Sequence, residues 1–297
     1  MTHYHLMHCV PPDPRVHGLN GYKEVIEAVA WGLEQLGHKP TYALNHSVQD
    51  ATNIVFGAQV LPIATLKRLP EGTVIYNFEQ MREIVAGAQM RESDAVAQIR
   101  AEVRYYAKEP HFEIWDYTPA NLPTWRALGR PQVKVVPVGY APILSRIAKA
   151  PSQDIDVLIY GMSGERRLQT FHALSQRGLI TVFVCGLYGA ARDELISRAK
   201  VVLNINLYPQ TRIFEIVRVS YLLANRKAVV ADLDLNTSIE DDVRPAVKFA
   251  SSLQELLRLC DSLANNERER TKLEELGFSC ISRRDVRDIL KAALAGP

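Results

Sequence analysis

The stretch that decides the fold runs from Asp154 to Asp232. It reads DIDVLIYGMSGERR at 154–167, GLITVFVCGLYGAARDELISRAKVVLNINLY at 178–208 and RIFEIVRVSYLLANRKAVVAD at 212–232. Four apolar, β-rich runs in it are too short for helices: Asp156–Tyr160, Ile180–Cys185, Val201–Leu207 and Ala228–Ala231. Strands that alternate with helices predict a parallel sheet, and such sheets bind ligands beyond the carboxyl ends of their strands. We therefore expect the functional site at the strand ends of this stretch.

The first half of the chain shows the same alternation. Six runs are predicted as strands: Tyr4–Val10, Pro40–Leu44, Asn53–Phe56, Thr73–Tyr76, Glu113–Tyr117 and Val133–Val136. The proline-bracketed segment PVGYAPILSRIAKAPSQ fits neither the helical nor the strand period. We therefore predict an N-terminal domain at 1–137, a linker at 138–153 and a C-terminal domain at 154–297, with the final helix in the latter. Both domains are predicted to be Rossmann-like α/β sheets that face a cleft.

Composition and charge exclude several classes of protein. The formal net charge of +2 gives no electrostatic basis for binding nucleic acid or a membrane surface. No signal peptide or transmembrane segment is predicted, since no run approaches the roughly 18 apolar residues of a membrane span. The four cysteines are scattered without a CxxC pair, which is typical of reduced thiols. We therefore expect a cytoplasmic protein.

The two-domain pattern resembles the GT-B glycosyltransferases. The second half resembles, more narrowly, the bacterial family-1-type enzymes annotated alongside spore-maturation-type glycosyltransferases, through DVLIYGMSGERR, GLYGAARDELISRAKVVLNINLY and FEIVRVSYLLANRKAVVAD. In the first half the resemblance rests on GLNGYKEVIEAVAWGLEQLGH, and on WDYTPANLPTWRALG followed by VPVGYAP. It implies hexosyl transfer from a nucleotide-diphosphate sugar, held mainly by the C-terminal domain, to an acceptor hydroxyl. The acceptor class stays open between a glycan, a lipid-linked molecule and a small molecule.

The resemblance also bears on metal and stereochemistry. The GT-B fold needs no metal-binding DxD triplet, and we set aside Asp232-Leu233-Asp234 because of its position after a strand. We therefore expect a metal-independent reaction with no cofactor besides the nucleotide sugar as co-substrate. Retaining relatives often carry two glutamates eight residues apart, whereas Leu223 stands eight residues after Glu215. The sequence therefore leaves the choice between retention and inversion open.

The first candidate donor site is the turn that follows the strand at 156–160. Gly161 and Gly164 permit close approach of the backbone, and Ser163, Arg166 and Arg167 offer polar contacts at the start of a helix. Main-chain N–H groups and guanidinium groups in such a turn are suited to phosphate oxygens. The alternative is a plain tight turn with two solvated arginines, and Arg166 is the preferred phosphate contact of the two.

Two further strand ends carry candidate donor contacts. Gly186 and Tyr188 lie in a loop where the tyrosine could stack on the base or ribose, or where the glycine simply supplies a positive φ. Asn204 and Asn206 share one face of an otherwise apolar strand. Buried amides need partners, so Asn204 is predicted either to bond to a neighbouring loop or to line the donor pocket.

Glu215 and Arg218 form the sharpest feature of the sequence. They lie three residues apart on a helix that is otherwise apolar, so they share one face. Buried charges need a partner or a ligand. They are therefore predicted either to pair with each other or to serve as catalytic and donor-binding residues. In the second case Glu215 would bind the ribose hydroxyls and Arg218 the diphosphate or the charge on the leaving group.

Candidates in the first half are placed on the acceptor side. His17 is the proposed general base, since histidine titrates near neutral pH, and Asn20 and Gly21 lie beside it in the loop after the first strand. Asp13 is a weaker alternative base. Strand ends supply further candidates for acceptor contact: Glu79, Gln80 and Tyr117. Histidines 3, 5 and 8 lack supporting ligands for a metal site.

Two alternatives to a transferase remain open at this point. A nucleotide-sugar 2-epimerase has the same architecture but needs more carboxylates and histidines than the sequence supplies. A non-catalytic nucleotide- or sugar-binding module would keep the C-terminal donor residues and lack a competent base.

Overall fold

The computed structural model describes residues 1–11, 21–81, 94–207, 213–234 and 236–295, with side chains omitted over 94–99. His17, Asn20 and Asp13 lie outside the described residues. The chain divides into two compact units, Met1–Gly139 with Asp285–Pro297, and Tyr140–Arg284. Across the described residues no helix combines the length and the apolar character that crossing a membrane requires.

The first unit contains a six-stranded parallel sheet in the order β2-β1-β3-β4-β5-β6. The strands are β1 (His3–His8), β2 (Lys39–Leu44), β3 (Thr52–Phe56), β4 (Val74–Asn77), β5 (Glu113–Asp116) and β6 (Lys134–Val135). The helices that connect them are α1 (Lys23–Gln35), α2 (Ile63–Leu66), α3 (Asp94–Lys108) and α4 (Leu122–Ala127). The central strands β3 and β4 are almost entirely buried because helices cover both faces of a parallel sheet.

The second unit contains a five-stranded parallel sheet in the order β11-β10-β9-β7-β8. The strands are β7 (Ile155–Tyr160), β8 (Thr181–Val184), β9 (Ala199–Asn204), β10 (Ala228–Asp232) and β11 (Lys248–Ala250). The helices are α5 (Glu165–Gln176), α6 (Gly189–Arg198), α7 (Ile216–Ala224), α8 (Leu253–Asn265) and α9 (Glu267–Ser282). Alternate residues of the central strands, such as Val157, Leu203 and Val230, enter one hydrophobic cluster with residues of α8.

The final helix, α10 (Val286–Leu294), belongs to the first unit and not to the second as the sequence predicted. It packs on α1 at Gly32, where a Cβ atom would lie 2.7 Å from Leu290 Cδ1 and 3.0 Å from Val286 Cγ1. Lys134 Nζ also donates to the carbonyl of Ala293 at 2.8 Å. The apolar period of α10 predicts a buried face, but the period carries no information about which surface covers that face.

The predicted linker at 138–153 belongs to the second unit from Tyr140 onward. Ser145 Oγ donates to the carbonyl of Ala224 at 2.8 Å, and Gln153 Nε2 donates to the carbonyl of Ala199 at 2.7 Å. The segment resembles a linker in sequence because it is irregular. Its backbone is fixed by hydrogen bonds to distant residues, so the division between the units falls after Gly139.

Candidate functional site

The order of strands in the second unit creates a switch point between β7 and β9. From β7 the chain goes to β8 on one side and then crosses to β9 on the other side. Loops that follow the two strands therefore diverge and leave a crevice, which is where sheets of this type bind ligands. Gly161 follows β7, and Asn204 is the last residue of β9. The site predicted from the sequence thus lies at the switch point.

Two guanidinium groups meet at the turn after β7. Gly161 has a φ of +123°, which residues with a Cβ atom rarely adopt. A Cβ atom there would lie 3.0 Å from Arg167 Nη1 and 3.1 Å from Arg218 Nη2. Gly161 therefore gives room for two cations from two different helices, α5 and α7. Two adjacent guanidinium groups form a positive site that suits an anion.

Arg167 fixes the two loops that line this turn. Its side chain is 4% exposed, with Nε and Nη2 donating to the Ile205 carbonyl at 2.9 and 2.7 Å and Nη1 donating to the Met162 carbonyl at 2.7 Å. Its pKa is lowered to about 10, chiefly by burial and secondly by Arg218, against the opposing effects of Glu215 and Asp232. Arg167 was predicted to contact phosphate. In the structure Arg167 also has a structural role, since three of its nitrogen atoms donate hydrogen bonds to main-chain carbonyls.

Arg166 points away from Arg167 and pairs with Asp232. Its Nη2 lies 2.7 Å from Asp232 Oδ2, while Asp232 Oδ1 accepts a hydrogen bond from the Asn206 main-chain N–H at 2.9 Å. Burial raises the pKa of Asp232, and the Asn206 N–H and the two arginines oppose that shift. A pocket of about 120 Å³ lies beside the pair and also includes Thr170 and Ser251. The carboxylate set aside in the sequence therefore helps to position the loop after β9.

Glu215 and Arg218 do not pair with each other. Among the described residues the Glu215 carboxylate makes no hydrogen bond or ion pair, although the Glu215 main-chain carbonyl accepts from Val219 N–H at 3.1 Å. Glu215 is half-buried and directly precedes α7. Arg218 Nη1 donates to the Tyr160 carbonyl at 3.3 Å, and its guanidinium lies 5.2 Å from the centroid of the Tyr160 ring. Arg218 is also the single residue of α7 that is not buried. The structure therefore disfavours the mutual salt bridge and leaves both charges available at the switch point.

The remaining predicted donor residues lie at or just after the ends of β7, β8 and β9, and their side chains differ in solvent exposure. Ser163 is exposed in the turn after β7. Gly186, with a φ of +67°, follows β8, which is joined to the turn by a hydrogen bond from Gly161 N–H to the Val184 carbonyl at 3.0 Å. Tyr188 is half-buried and directly precedes α6. Asn204 is buried at the end of β9.

The predicted acceptor-side residues that the structure describes, Gly21, Glu79, Gln80 and Tyr117, belong to the first unit. Glu79 Oε1 accepts hydrogen bonds from Tyr22 Oη at 2.8 Å and from Gln59 Nε2 at 2.7 Å. Gln80 and Gly21 are half-buried. Tyr117 is 3% exposed, and its ring lies 5.9 Å from that of Phe78, so it is part of an aromatic core. The strand-end position suggested a contact surface for Tyr117, but the ring turns inward.

A buried carboxylate, Asp116, was missed in the sequence. It accepts hydrogen bonds from Asn77 Nδ2 at 2.8 Å, Trp125 Nε1 at 2.7 Å, Asn121 Nδ2 at 3.0 Å and Thr118 N–H at 3.0 Å. Its pKa is raised to about 6, because the effect of burial outweighs that of these hydrogen bonds, which favour the charged carboxylate. The amides of Asn77 and Asn121 also donate to the Glu79 carbonyl at 3.0 and 2.8 Å. The network therefore fixes the loop that carries Glu79. The feature of the sequence that could have indicated Asp116 is its position as an aspartate at the end of a buried strand.

The histidines of β1 have ordinary hydrogen-bond partners. His3 Nε2 and His5 Nδ1 both lie 2.8 Å from Thr41 Oγ1. Within the described part of the chain, no three histidine, cysteine or acidic side chains are grouped closely enough to hold a metal ion.

Comparison with known proteins gives matches in structure. No protein-family model matches the chain, and no curated protein sequence matches it. The structure of HepE from Anabaena in complex with UDP and glucose matches at a TM-score of 0.64 and 11% identity, over 100% of both chains. WaaG, a glycosyltransferase involved in lipopolysaccharide biosynthesis, matches at 0.62 and 11% identity over 99% of this chain and 100% of that one. T4 phage BGT in complex with UDP and Mn²⁺ matches at 0.59 and 13% identity over 100% of both chains.

These similarities extend over both units, and the neighbours are GT-B glycosyltransferases. The two parallel α/β sheets, of six and five strands, therefore form the GT-B fold that the resemblance in sequence implied.

Proposed function

We propose that the chain is a glycosyltransferase that moves a sugar, of hexosyl type, from a nucleotide-diphosphate donor to an acceptor hydroxyl. The observation that carries the proposal is the meeting of the Gly161 turn, Arg218 and Glu215 at the switch point of the second unit. The neighbours HepE and T4 phage BGT were solved with UDP, which makes UDP the first donor fragment to test. A cytoplasmic location is part of the proposal, supported by four cysteines that are all free.

The diphosphate would bind at the turn after β7. The main-chain N–H groups at the start of α5 and the Arg218 guanidinium face this turn, and both favour phosphate oxygens. Stabilisation of the charge that grows on the departing diphosphate is the catalytic contribution of Arg218, since it is larger in the transition state than in the ground state. Glu215 would accept hydrogen bonds from the ribose hydroxyls. Ser163, Gly186 and Tyr188 complete the donor contacts in this proposal.

The acceptor would be activated by the first unit. His17 stays the proposed base for an inverting reaction, with Asn20 and Gly21 beside it, although two of these three residues lie outside the described part. Glu79 and Gln80 are the proposed acceptor contacts, and the Asp116 network keeps the Glu79 backbone in place. The acceptor is a hydroxyl compound from a glycan, a lipid-linked molecule or a small molecule.

The experiment that tests this function measures release of nucleoside diphosphate from nucleotide sugars. We expect release that depends on an added acceptor, after a thermal-shift screen has selected the donor. Donor binding without release under any acceptor would favour a non-catalytic binding module. Conversion of the free nucleotide sugar to its 2-epimer would favour an epimerase.

Replacement of Glu215 by glutamine should weaken donor binding while leaving the fold intact. The wild-type carboxylate makes no hydrogen bond or ion pair among the described residues and acts on the buried Arg167 through its charge alone, so the glutamine variant is expected to fold. Loss of a charge-assisted hydrogen bond to a ribose hydroxyl should cost about 2 kcal/mol of donor affinity. Calorimetric titration with UDP and a melting curve on the same protein check this. A collapsed melting temperature with normal affinity would mean that Glu215 is structural.

Arg218→Ala, within α7 three residues after Glu215, is the companion variant. It should reduce kcat more than donor affinity, because the leaving-group charge develops after binding. Equal losses in kcat and kcat/KM measured against wild type, with KM unchanged, are the expected pattern.

Removal of divalent metal should leave activity in place. Arg218 and the N-terminal end of α5 can neutralise the diphosphate without a metal ion, in contrast to a site built on paired carboxylates. We expect full turnover after dialysis against EDTA. Activity that is lost after EDTA and returns when Mg²⁺ or Mn²⁺ is added back would overturn this part of the proposal. Mn²⁺ is included in this control because T4 phage BGT was solved in complex with UDP and Mn²⁺.

A further inference from the structure

The amide of Asn204 is buried without a partner. Its side chain is 1% exposed, and neither Nδ2 nor Oδ1 makes a hydrogen bond within the described structure. A buried amide that loses its hydrogen bonds to water carries a desolvation cost, so such groups are rare in proteins. The sequence predicted either a neighbouring loop or a ligand as its partner. The loop after β9 is instead held by Arg167 and Asp232, at Ile205 and Asn206.

The position of Asn204 in the sheet places it beside the proposed diphosphate site. Leu203 is paired with Ile159 of β7, and both belong to the hydrophobic cluster on one face. Side chains alternate along a strand, so Asn204 and Tyr160 lie one step further on and share the opposite face, on strands about 4.8 Å apart. Tyr160 supports the Arg218 guanidinium through its carbonyl and its ring. Asn204 therefore lies at the floor of the switch point.

The chemistry of an amide limits what can satisfy it. Nδ2 donates and Oδ1 accepts, so the complementary group must both accept and donate. Phosphate oxygens only accept, and they would leave Oδ1 unpaired. A hydroxyl or the imide edge of a base meets both requirements, directly or through one water molecule.

We propose that Asn204 is a specificity-determining residue that hydrogen-bonds a neutral donor-and-acceptor group of the nucleotide sugar, a hydroxyl or a base edge. The inference rests on the proposed function and adds to it the chemical class of group that Asn204 recognises. It follows from this proposal that the unpaired amide of Asn204 lowers the free energy of unfolding of the ligand-free protein, and that ligand binding removes this cost.

The test is Asn204→Leu in the full chain, with Asn225→Leu as the matched control. Leucine has the same number and branching of side-chain heavy atoms as asparagine and no polar atoms, so removal of an unpaired amide should raise the melting temperature by about 3 °C. Asn225 is also buried, but its amide accepts from Arg146 and Ile147 N–H at 2.8 and 2.7 Å and donates to the Leu144 carbonyl at 2.9 Å. Asn225→Leu should therefore lower the melting temperature.

Binding is measured by titration with UDP, UDP-glucose and inorganic pyrophosphate. We expect Asn204→Leu to weaken UDP or UDP-glucose at least tenfold and to leave pyrophosphate unchanged. A loss seen with UDP places the contact on the nucleoside, and a loss seen only with UDP-glucose places it on the sugar. Asn204→Asp, which keeps the acceptors and loses the donors, should weaken the same ligands.

Three results would overturn the assignment. A melting temperature that falls as in Asn225→Leu, or a variant that does not fold, would show that the amide has a structural role. Unchanged affinity for both nucleotides would remove the ligand contact, and a loss confined to pyrophosphate would move it to the phosphates. Failure of the unsubstituted protein to bind UDP, GDP or ADP would instead contradict the proposed function itself.

Discussion

Replacement of Arg167 by methionine should both destabilise the protein and abolish tight donor binding. The buried guanidinium donates three hydrogen bonds to the carbonyls of Ile205 and Met162, and methionine would leave both carbonyls without these partners. The expected loss is about 3 kcal/mol in the free energy of unfolding, because buried carbonyls without partners retain their full desolvation cost. Donor affinity should fall as well, since the two carbonyls belong to the loops that follow β7 and β9.

Urea unfolding and titration with UDP check this prediction. The control is Arg177→Met at the other end of the same helix, where the side chain is exposed and the change in unfolding free energy should stay within about 0.5 kcal/mol. Normal stability of Arg167→Met together with a large loss of affinity would assign Arg167 to the phosphate contact that the sequence suggested.

Replacement of Lys227 by methionine should stabilise the protein at neutral pH. Lys227 directly precedes β10, is 2% exposed, and donates only one long hydrogen bond, to the Ser197 carbonyl at 3.3 Å, among the contacts described for it. Its pKa is lowered from 10.5 to about 8, chiefly by burial; Glu274 opposes this shift, and Lys149 and Arg270 add to it. Because the pKa is lower in the folded state than in the unfolded state, the protonated ammonium reduces the free energy of unfolding by about 3 kcal/mol at pH 7.

The pH dependence has a definite sign. Between pH 8 and 10.5 the unfolded chain holds a proton on Lys227 that the folded chain has released, so stability from this group rises with pH across that window. This contribution of Lys227 to stability is complete above the unfolded pKa of 10.5, and it is lost as the pH falls through the folded pKa of about 8. Urea unfolding at pH 7, 9 and 10.5 should therefore show the advantage of Lys227→Met shrinking as pH rises. Lys272→Met, an exposed lysine on α9, is the control, and a pH-independent difference would refute the explanation.

The sequence predicted the pattern of strands and helices because that information is local. Apolar runs such as those at 156–160 and 201–207 reveal strands buried on both faces, and the glycine that ends the first run marks the turn at the switch point. The same reasoning placed Glu215 and Arg218 on one helix face, whereas in the structure Glu215 precedes α7 and only Arg218 lies within that helix. Parallel topology then brings strand ends to one edge of the sheet, so the candidate site could be located without coordinates.

Assignments that depend on distant partners needed the tertiary structure. The apolar period of α10 is visible in the sequence, but its contact with α1 depends on the space beside Gly32. Asp116 could not be distinguished from a surface aspartate, because its burial depends on how Asn77 of β4 and the segment 118–125 pack around it.

The two arginines of the turn show most clearly where local information ends. Arg166 and Arg167 are adjacent in the sequence and equivalent in type, yet one pairs with Asp232 and the other holds a carbonyl 38 residues away. Asn204 is the reverse case, since the strand predicts its burial and only the structure shows that its amide has no partner among the described residues. Periodicity fixes which way a side chain points, whereas the packing of distant segments decides what that side chain meets.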